Sequence, residues 1–113
     1  MKQSGKLDYI ELSAAGGALD SVKSFYACVF GWSFTDYGVT YSAFNEGLEG
    51  GFQGDGTTSH APLPVIFSDD LEAALVAVEQ GGGTISRAIF SFPGGRRFHF
   101  TDPAGNELAV WGA

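Results

Sequence analysis

Phe98-His99-Phe100-Thr101-Asp102-Pro103-Ala104-Gly105-Asn106-Glu107-Leu108-Ala109-Val110-Trp111 is a hairpin written in residues. Phe98 and Phe100 alternate with polar positions on the first arm, and Leu108 and Val110 alternate on the second. Period-two alternation is the mark of a strand with one buried face. Between the arms, Asp102-Pro103-Ala104-Gly105-Asn106 has the chemistry of a turn. Proline fixes φ, and Gly105 and Asn106 tolerate positive φ.

Working outward from this hairpin, the chain reads as β-α-β-β-β twice. The first half opens with a strand over Leu7 to Ser13. A helix follows from Leu19 to Phe30, with Leu19, Val22, Phe25, Tyr26 and Val29 at three-and-four spacing. Gly31 closes it as a C′ glycine. Trp32 to Tyr37 and Thr40 to Phe44 read as strands around Gly38, and Glu46 to Phe52 as a weak fourth. Gln53 to Ala61 is a polar linker between halves, and His60 within it reads as exposed. The second half has a strand over Pro62 to Ser68. A capping box, Asp69-x-x-Glu72, opens a helix from Asp70 to about Gln80. Gly81-Gly82-Gly83 stops that helix, Thr84 to Ile89 is a strand, and Pro93-Gly94-Gly95 turns into the closing hairpin. The half-modules span about 7–52 and 62–112 of a single domain, 1–113. Gly50-Gly51 and Gly94-Gly95 read as turns. No strand, glycine loop and helix follow one another as phosphate binding requires.

The composition narrows the classes further. The 113 residues are 44% hydrophobic and 17% charged, which suits one globular domain with a core. No apolar run approaches the roughly 20 residues of a membrane helix. No hydrophobic stretch precedes the first strand, so no secretory signal is expected. Thirteen acidic residues against six basic ones give a net charge of −7. Only Arg96-Arg97 is locally basic, so neither nucleic acid nor an anionic membrane is an expected partner. Neutral or cationic small molecules suit the charge better. One cysteine, Cys28, excludes an intramolecular disulfide and points to a reducing cytoplasm. It reads as a small buried or half-buried thiol.

Five segments in this order resemble the vicinal-oxygen-chelate superfamily of glyoxalases, bleomycin-resistance proteins and extradiol dioxygenases. They are Tyr9-Ile10-Glu11-Leu12, Phe25-Tyr26-Ala27-Cys28-Val29-Phe30-Gly31-Trp32, Asp69-Asp70-Leu71-Glu72-Ala73-Ala74, Gly94-Gly95-Arg96-Arg97-Phe98 and the closing hairpin. The resemblance implies an α+β fold of two βαβββ modules. Curved mixed sheets would form a cleft, with helices on the convex face. In metal-dependent members of the superfamily four residues of that cleft hold the ion. Their positions map to Tyr9 on the opening strand, Leu63 on the strand that opens the second half, and Ala109, seven residues after Asp102. The fourth falls near Gly50 to Phe52, where Glu49 is the available carboxylate. Leu63 and Ala109 offer no donor, so the resemblance points to a metal-free branch with no cofactor.

With Ala109 at a cleft-facing position, alternation places Glu107 and Trp111 on the same face. The paired arm then turns Arg97 and His99 to the cleft and Phe98 and Phe100 to the helix. The expected ligand-binding set is Tyr9, Glu11, Leu63, Arg97, His99, Glu107 and Trp111, with His99 and Glu107 as candidate acid–base groups. Plainer readings stand beside these. Glu107 and Arg97 can simply pair across the hairpin, His99 can be a hydrogen-bonded wall residue, and Glu11 a solvated strand residue. Trp32, Phe25 and Tyr26 read as core.

Three functions fit. The leading one is a metal-free small-molecule binding protein of the bleomycin-resistance type, sequestering an aromatic or cationic compound. The alternative is a metal-independent isomerase or lyase using His99 or a carboxylate. A metal-dependent glyoxalase or dioxygenase is the least favoured. A cytoplasmic homodimer is expected in each case.

Overall fold

The computed structural model describes residues 2–14, 17–54 and 62–113. His60 and most of the polar linker lie outside these. The chain divides into two compact units, Tyr9–Leu63 and a second built from the residues up to Asp8 together with Pro64–Ala113. Eight strands and two helices are present among the described residues, as an α+β fold of two βαβββ modules. They are β1 (Leu7–Ser13), α1 (Leu19–Phe30), β2 (Thr35–Asp36), β3 (Tyr41–Asn45), β4 (Glu49–Gln53), β5 (Leu63–Phe67), α2 (Leu71–Gln80), β6 (Thr84–Phe92), β7 (Gly95–Thr101) and β8 (Glu107–Gly112).

In the Tyr9–Leu63 unit, β1 runs parallel to β4, and β4, β3 and β2 pair antiparallel in turn. Ile10 and Leu12 pack with Leu19, Val22 and Tyr26 of α1 and with Phe44 and Phe52. Trp32 joins this cluster, its ring 4.7 Å from Tyr26 and 4.8 Å from Phe44. Gly31 ends α1 at φ 74°, a left-handed turn that a Cβ disfavours. Two expectations fail on this helix. Phe25 is exposed rather than core, as are Val29 and Phe30. Cys28 is exposed, not buried. Of the apolar stripe on α1, Leu19, Val22 and Tyr26 are the residues packed in the core.

Gly50 and Gly51 are not a turn. Both lie inside β4, where the chain needs room rather than flexibility. A Cβ at Gly50 would stand 2.5 Å from the Phe44 ring, and one at Gly51 would overlap the Tyr41 ring and hydroxyl. The strand expected over Trp32–Tyr37 shrinks to Thr35–Asp36.

In the second unit, β5 is parallel to β8, β8 pairs antiparallel with β7, and β7 with β6. Residues before β1 also join it, with the Gly5 N–H donating to the Phe67 carbonyl at 2.8 Å. Asp70, not Asp69, caps α2: its carboxylate accepts from the Ala73 N–H at 3.1 Å. Glu72 does not reach back as a capping box requires. It pairs instead with Arg96 at 2.6 Å. β6 extends to Phe92, past the expected end at Ile89. The hairpin turn is held by Asp102, whose carboxylate accepts from the Ala104 and Asn106 N–H groups and from the Asn106 side-chain amide. Those bonds, the Asn106 side chain foremost, hold the Asp102 carboxyl below the usual range.

Phe98, Val110 and Leu71 form the core of this unit, with Phe100, Leu75 and Val78 packed against it. β7 therefore sends Phe98 and Phe100 to α2. Arg97 and His99 take the other face, by the alternation of the strand.

Candidate functional site

The polar face of the closing hairpin is built by register. His99 lies opposite Ala109, Arg97 opposite Trp111, and Thr101 opposite Glu107. Arg97 and Glu107 are therefore not cross-strand neighbours, and the simple hairpin ion pair expected for them is not what the ladder sets. The partner of Glu107 is His99. The Nδ1 of His99 is 3.3 Å from Glu107 Oε2, and Ser86 Oγ donates to the same oxygen at 3.4 Å. An ionised carboxylate only accepts, so Nδ1 carries the proton of a neutral imidazole and Nε2 keeps its lone pair.

His99 is deeply buried, its side chain 5% exposed, and among the described residues Nε2 has no hydrogen-bond partner. Burial pushes its pKa below the ordinary histidine value, and the Arg97 charge adds to this. The Glu107 hydrogen bond and charge oppose it, and Arg87 lowers it further. The surroundings are aromatic and cationic. The Phe90 ring is 5.8 Å from the imidazole, the Arg87 guanidinium 3.6 Å from the Phe90 ring, and that of Arg97 5.5 Å from it. Trp111 sits further along β8, edge-on to Phe67 at 5.2 Å. Its indole N–H donates to Asp8 at 2.9 Å, and the Lys2 ammonium lies 5.4 Å over its ring. A cation of the chain itself thus already lies over the Trp111 ring.

The remaining expected residues belong to the other unit. Tyr9 shares a hydroxyl–hydroxyl hydrogen bond of 2.6 Å with Tyr41. Glu11 is buried on β1 opposite Gly51, not solvated, and Leu63 is fully buried. Tyr9 lines an open cleft of about 450 Å³ together with Phe34, Tyr37, Tyr41, Phe44, Glu46 and Glu49. The Tyr37 and Tyr41 rings are 6.2 Å apart, and Glu46 accepts from the Ser33 N–H at 3.1 Å. Of this lining, sequence reasoning singled out only Tyr9 and Glu49 for the site. The alternation Tyr41-Ser42-Ala43-Phe44 was the available signal for Tyr41, since it separates that ring from the core residue Phe44. The role of Gly51 as the gap that Tyr41 crosses was not visible in it. Arg87 and Phe90 were missed as well, because the ladder of β6 is irregular between Ile85, Arg87 and Phe90.

The donor set does not fit the superfamily's metal centre. Leu63 and Ala109 are fully buried and carry no ligating atom. The Tyr9 hydroxyl is engaged with Tyr41. Among the described residues no three His, Cys, Asp or Glu side chains converge as a divalent ion requires.

Two βαβββ modules, each a mixed sheet with its helix packed on one face, define the class of the glyoxalase fold. A family model of the Glyoxalase/Bleomycin resistance protein/Dioxygenase superfamily matches residues 6–110, and the chain belongs to that superfamily. No functionally curated relative matches it. Among solved structures it is similar to a protein described as NAD-dependent benzaldehyde dehydrogenase from Legionella pneumophila. That pair has a TM-score of 0.74 at 13% identity, over 91% of this chain and 96% of the other. A superfamily member from Vibrio splendidus 12B01 gives 0.67 at 15% identity, covering 96% of this chain and all (100%) of that one. Methylmalonyl-CoA epimerase from Mycobacterium tuberculosis gives 0.65 at 14% identity, over 99% and 90%. At these identities the likeness is one of fold. Among the described residues no helix is long and apolar enough to cross a membrane.

Proposed function

We propose that the chain is a small-molecule binding protein of the glyoxalase/bleomycin-resistance type, acting without a metal centre on a flat aromatic or cationic compound. We take it as one domain of two half-modules, cytoplasmic and homodimeric. Superfamily membership supports small-molecule binding as the general role. The observation that carries the reading is the cleft of the Tyr9–Leu63 unit. Its volume of about 450 Å³ is of ligand size. Its walls are tyrosine and phenylalanine, and Glu46 and Glu49 are its charged groups. Aromatic faces attract cations by their quadrupoles, worth roughly 0.5–2 kcal/mol per ring, and the carboxylates add to this. Within the Tyr9–Leu63 unit, Glu11 and Leu63 are proposed beside Tyr9 as recognition residues, and, taken by itself, the hairpin face of the second unit is proposed to recognise ligand through Arg97, His99, Glu107 and Trp111.

The test is a fluorescence titration with proflavine, a planar cation, against the planar anion 1-anilinonaphthalene-8-sulfonate. Proflavine is expected to saturate one site, and Tyr37→Ala and Glu49→Gln to weaken it several-fold each. Equal affinity for the two dyes, or no response to either substitution, would refute the assignment.

A further inference from the structure

Lys2 is held by its own chain in the way a protein holds an amine ligand. Its ammonium reaches both carboxylate oxygens of Asp8, at 2.8 and 3.0 Å, and lies 5.4 Å over the Trp111 ring. The Trp111 indole N–H donates to the same carboxylate at 2.9 Å, which fixes ring and carboxylate against each other. Phe67 and Phe92 meet the indole edge-on, at 5.2 and 6.5 Å. A carboxylate beside an aromatic face is general recognition chemistry for an organic cation. The Asp8 side chain is 15% exposed, whereas the Lys2 side chain that fills the site is 38% exposed. The site is therefore reached from solvent, and the room a ligand needs is the room Lys2 takes. The contact is also separable from the fold. Its segment is tied to β5 by the Gly5 N–H on the Phe67 carbonyl and the Phe67 N–H on the Lys6 carbonyl. Ser4 and Asp69 exchange hydrogen bonds as well. Lys2 lies beyond these ties, so its side chain can leave Trp111 without unpairing a strand.

We propose that Asp8 and Trp111 form a subsite for a primary alkylammonium group, which Lys2 closes in the unliganded chain as an internal competitor. The ligand class is an amine on a methylene chain, the group whose shape Lys2 reproduces. When such a ligand binds, its ammonium takes the Asp8 oxygens and the indole face, and the Lys2 ammonium passes to solvent. One cation replaces another on one carboxylate, so the charge of the site is unchanged. A short tether holds a group at an effective concentration on the order of millimolar. Simple amines are therefore held off, and a ligand gains the subsite when its other groups make further contacts. The net charge of −7 favours the approach of a cation. The inference deepens the Trp111 part of the hairpin-face reading, on which it rests for that residue. It is independent of the proflavine cleft, which belongs to the other unit.

The experiment titrates n-butylammonium chloride, which is the Lys2 side chain cut free, against 1-butanol, its neutral counterpart, at constant ionic strength. The readout is the indole N–H resonance of Trp111, with that of Trp32 as the internal reference. In Lys2→Ala, n-butylammonium should shift the Trp111 resonance saturably, half-saturating at a concentration at least threefold below that of the wild type. The alcohol should not shift it. Asp8→Asn added to Lys2→Ala should abolish the response. Wild-type protein, which needs no variant to fold, should show the Lys2 ε-methylene protons upfield of those of Lys6, because they lie over the indole ring. Added n-butylammonium should move them toward the Lys6 position. A difference under threefold between Lys2→Ala and wild type, an equal response to 1-butanol, no saturable shift in Lys2→Ala, or coincident Lys2 and Lys6 shifts would each overturn the proposal. A failed proflavine titration leaves this result untouched, and a failed amine titration leaves that one.

Discussion

Phe98→Ala removes the most buried ring of the second unit. Phe98 is 0% exposed and packs between Leu71 and Val110, themselves 2% and 4% exposed. Truncating a buried phenylalanine costs about 3–5 kcal/mol, the larger values belonging to sites that cannot collapse. Here Phe100, Ile89 and Leu75 are only partly buried and can move into the space. The loss should therefore fall at about 3–4 kcal/mol. Unfolding entropy of about 2.1 cal/mol/K per residue over 113 residues is roughly 0.24 kcal/mol/K, so the midpoint should drop by about 13–17 °C. Circular dichroism against temperature, with a urea series for the free energy, reads both. His99→Asn is the control, one residue along on the opposite face, and should cost far less. A loss under about 1 kcal/mol for Phe98→Ala would mean that β7 does not present this face to α2 and that the parity argument is wrong.

Gly51→Ala should destabilise the Tyr9–Leu63 unit and weaken proflavine binding together, because the new methyl meets the Tyr41 ring; dye titration and thermal melts check it. Asp70→Ala removes the α2 cap and should cost about 1 kcal/mol, read by urea denaturation. His99 is held neutral by the fold, so the unfolded chain binds more protons as pH falls below about 6.5. Stability should be full above that value and fall as the pH drops through the lower folded pKa; melts from pH 8 to 5 should show this slope, and His99→Gln should flatten it. Elemental analysis of the purified protein should find zinc, nickel, manganese and iron below one per chain, since Leu63 and Ala109 carry no donor.

The sequence alone was enough for the module order, for α1 from Leu19 to Phe30 and for the closing hairpin. Each is a local pattern: period two on the arms, period 3.6 on the helix, a glycine at Gly31 and a turn at Asp102. It was enough, too, for the facing of Phe98 and His99, because alternation leaves a strand two choices and Phe98-x-Phe100 picks one. The tertiary structure decided what strands do to their neighbours. Gly50-Gly51 has turn composition, yet it lies in β4, because Phe44 and Tyr41 need the space two Cβ atoms would fill. Phe25 and Val29 have helix-core spacing, yet they are exposed, because α1 packs on its core through Leu19, Val22 and Tyr26. The partner of Glu107 is His99 rather than Arg97, because the ladder register, not proximity in sequence, sets which side chains meet. Arg87 and Phe90 reach His99 only through two irregular steps in β6. Pairwise register, available space and bulges are properties of two segments at once, and no single stretch of sequence carries them.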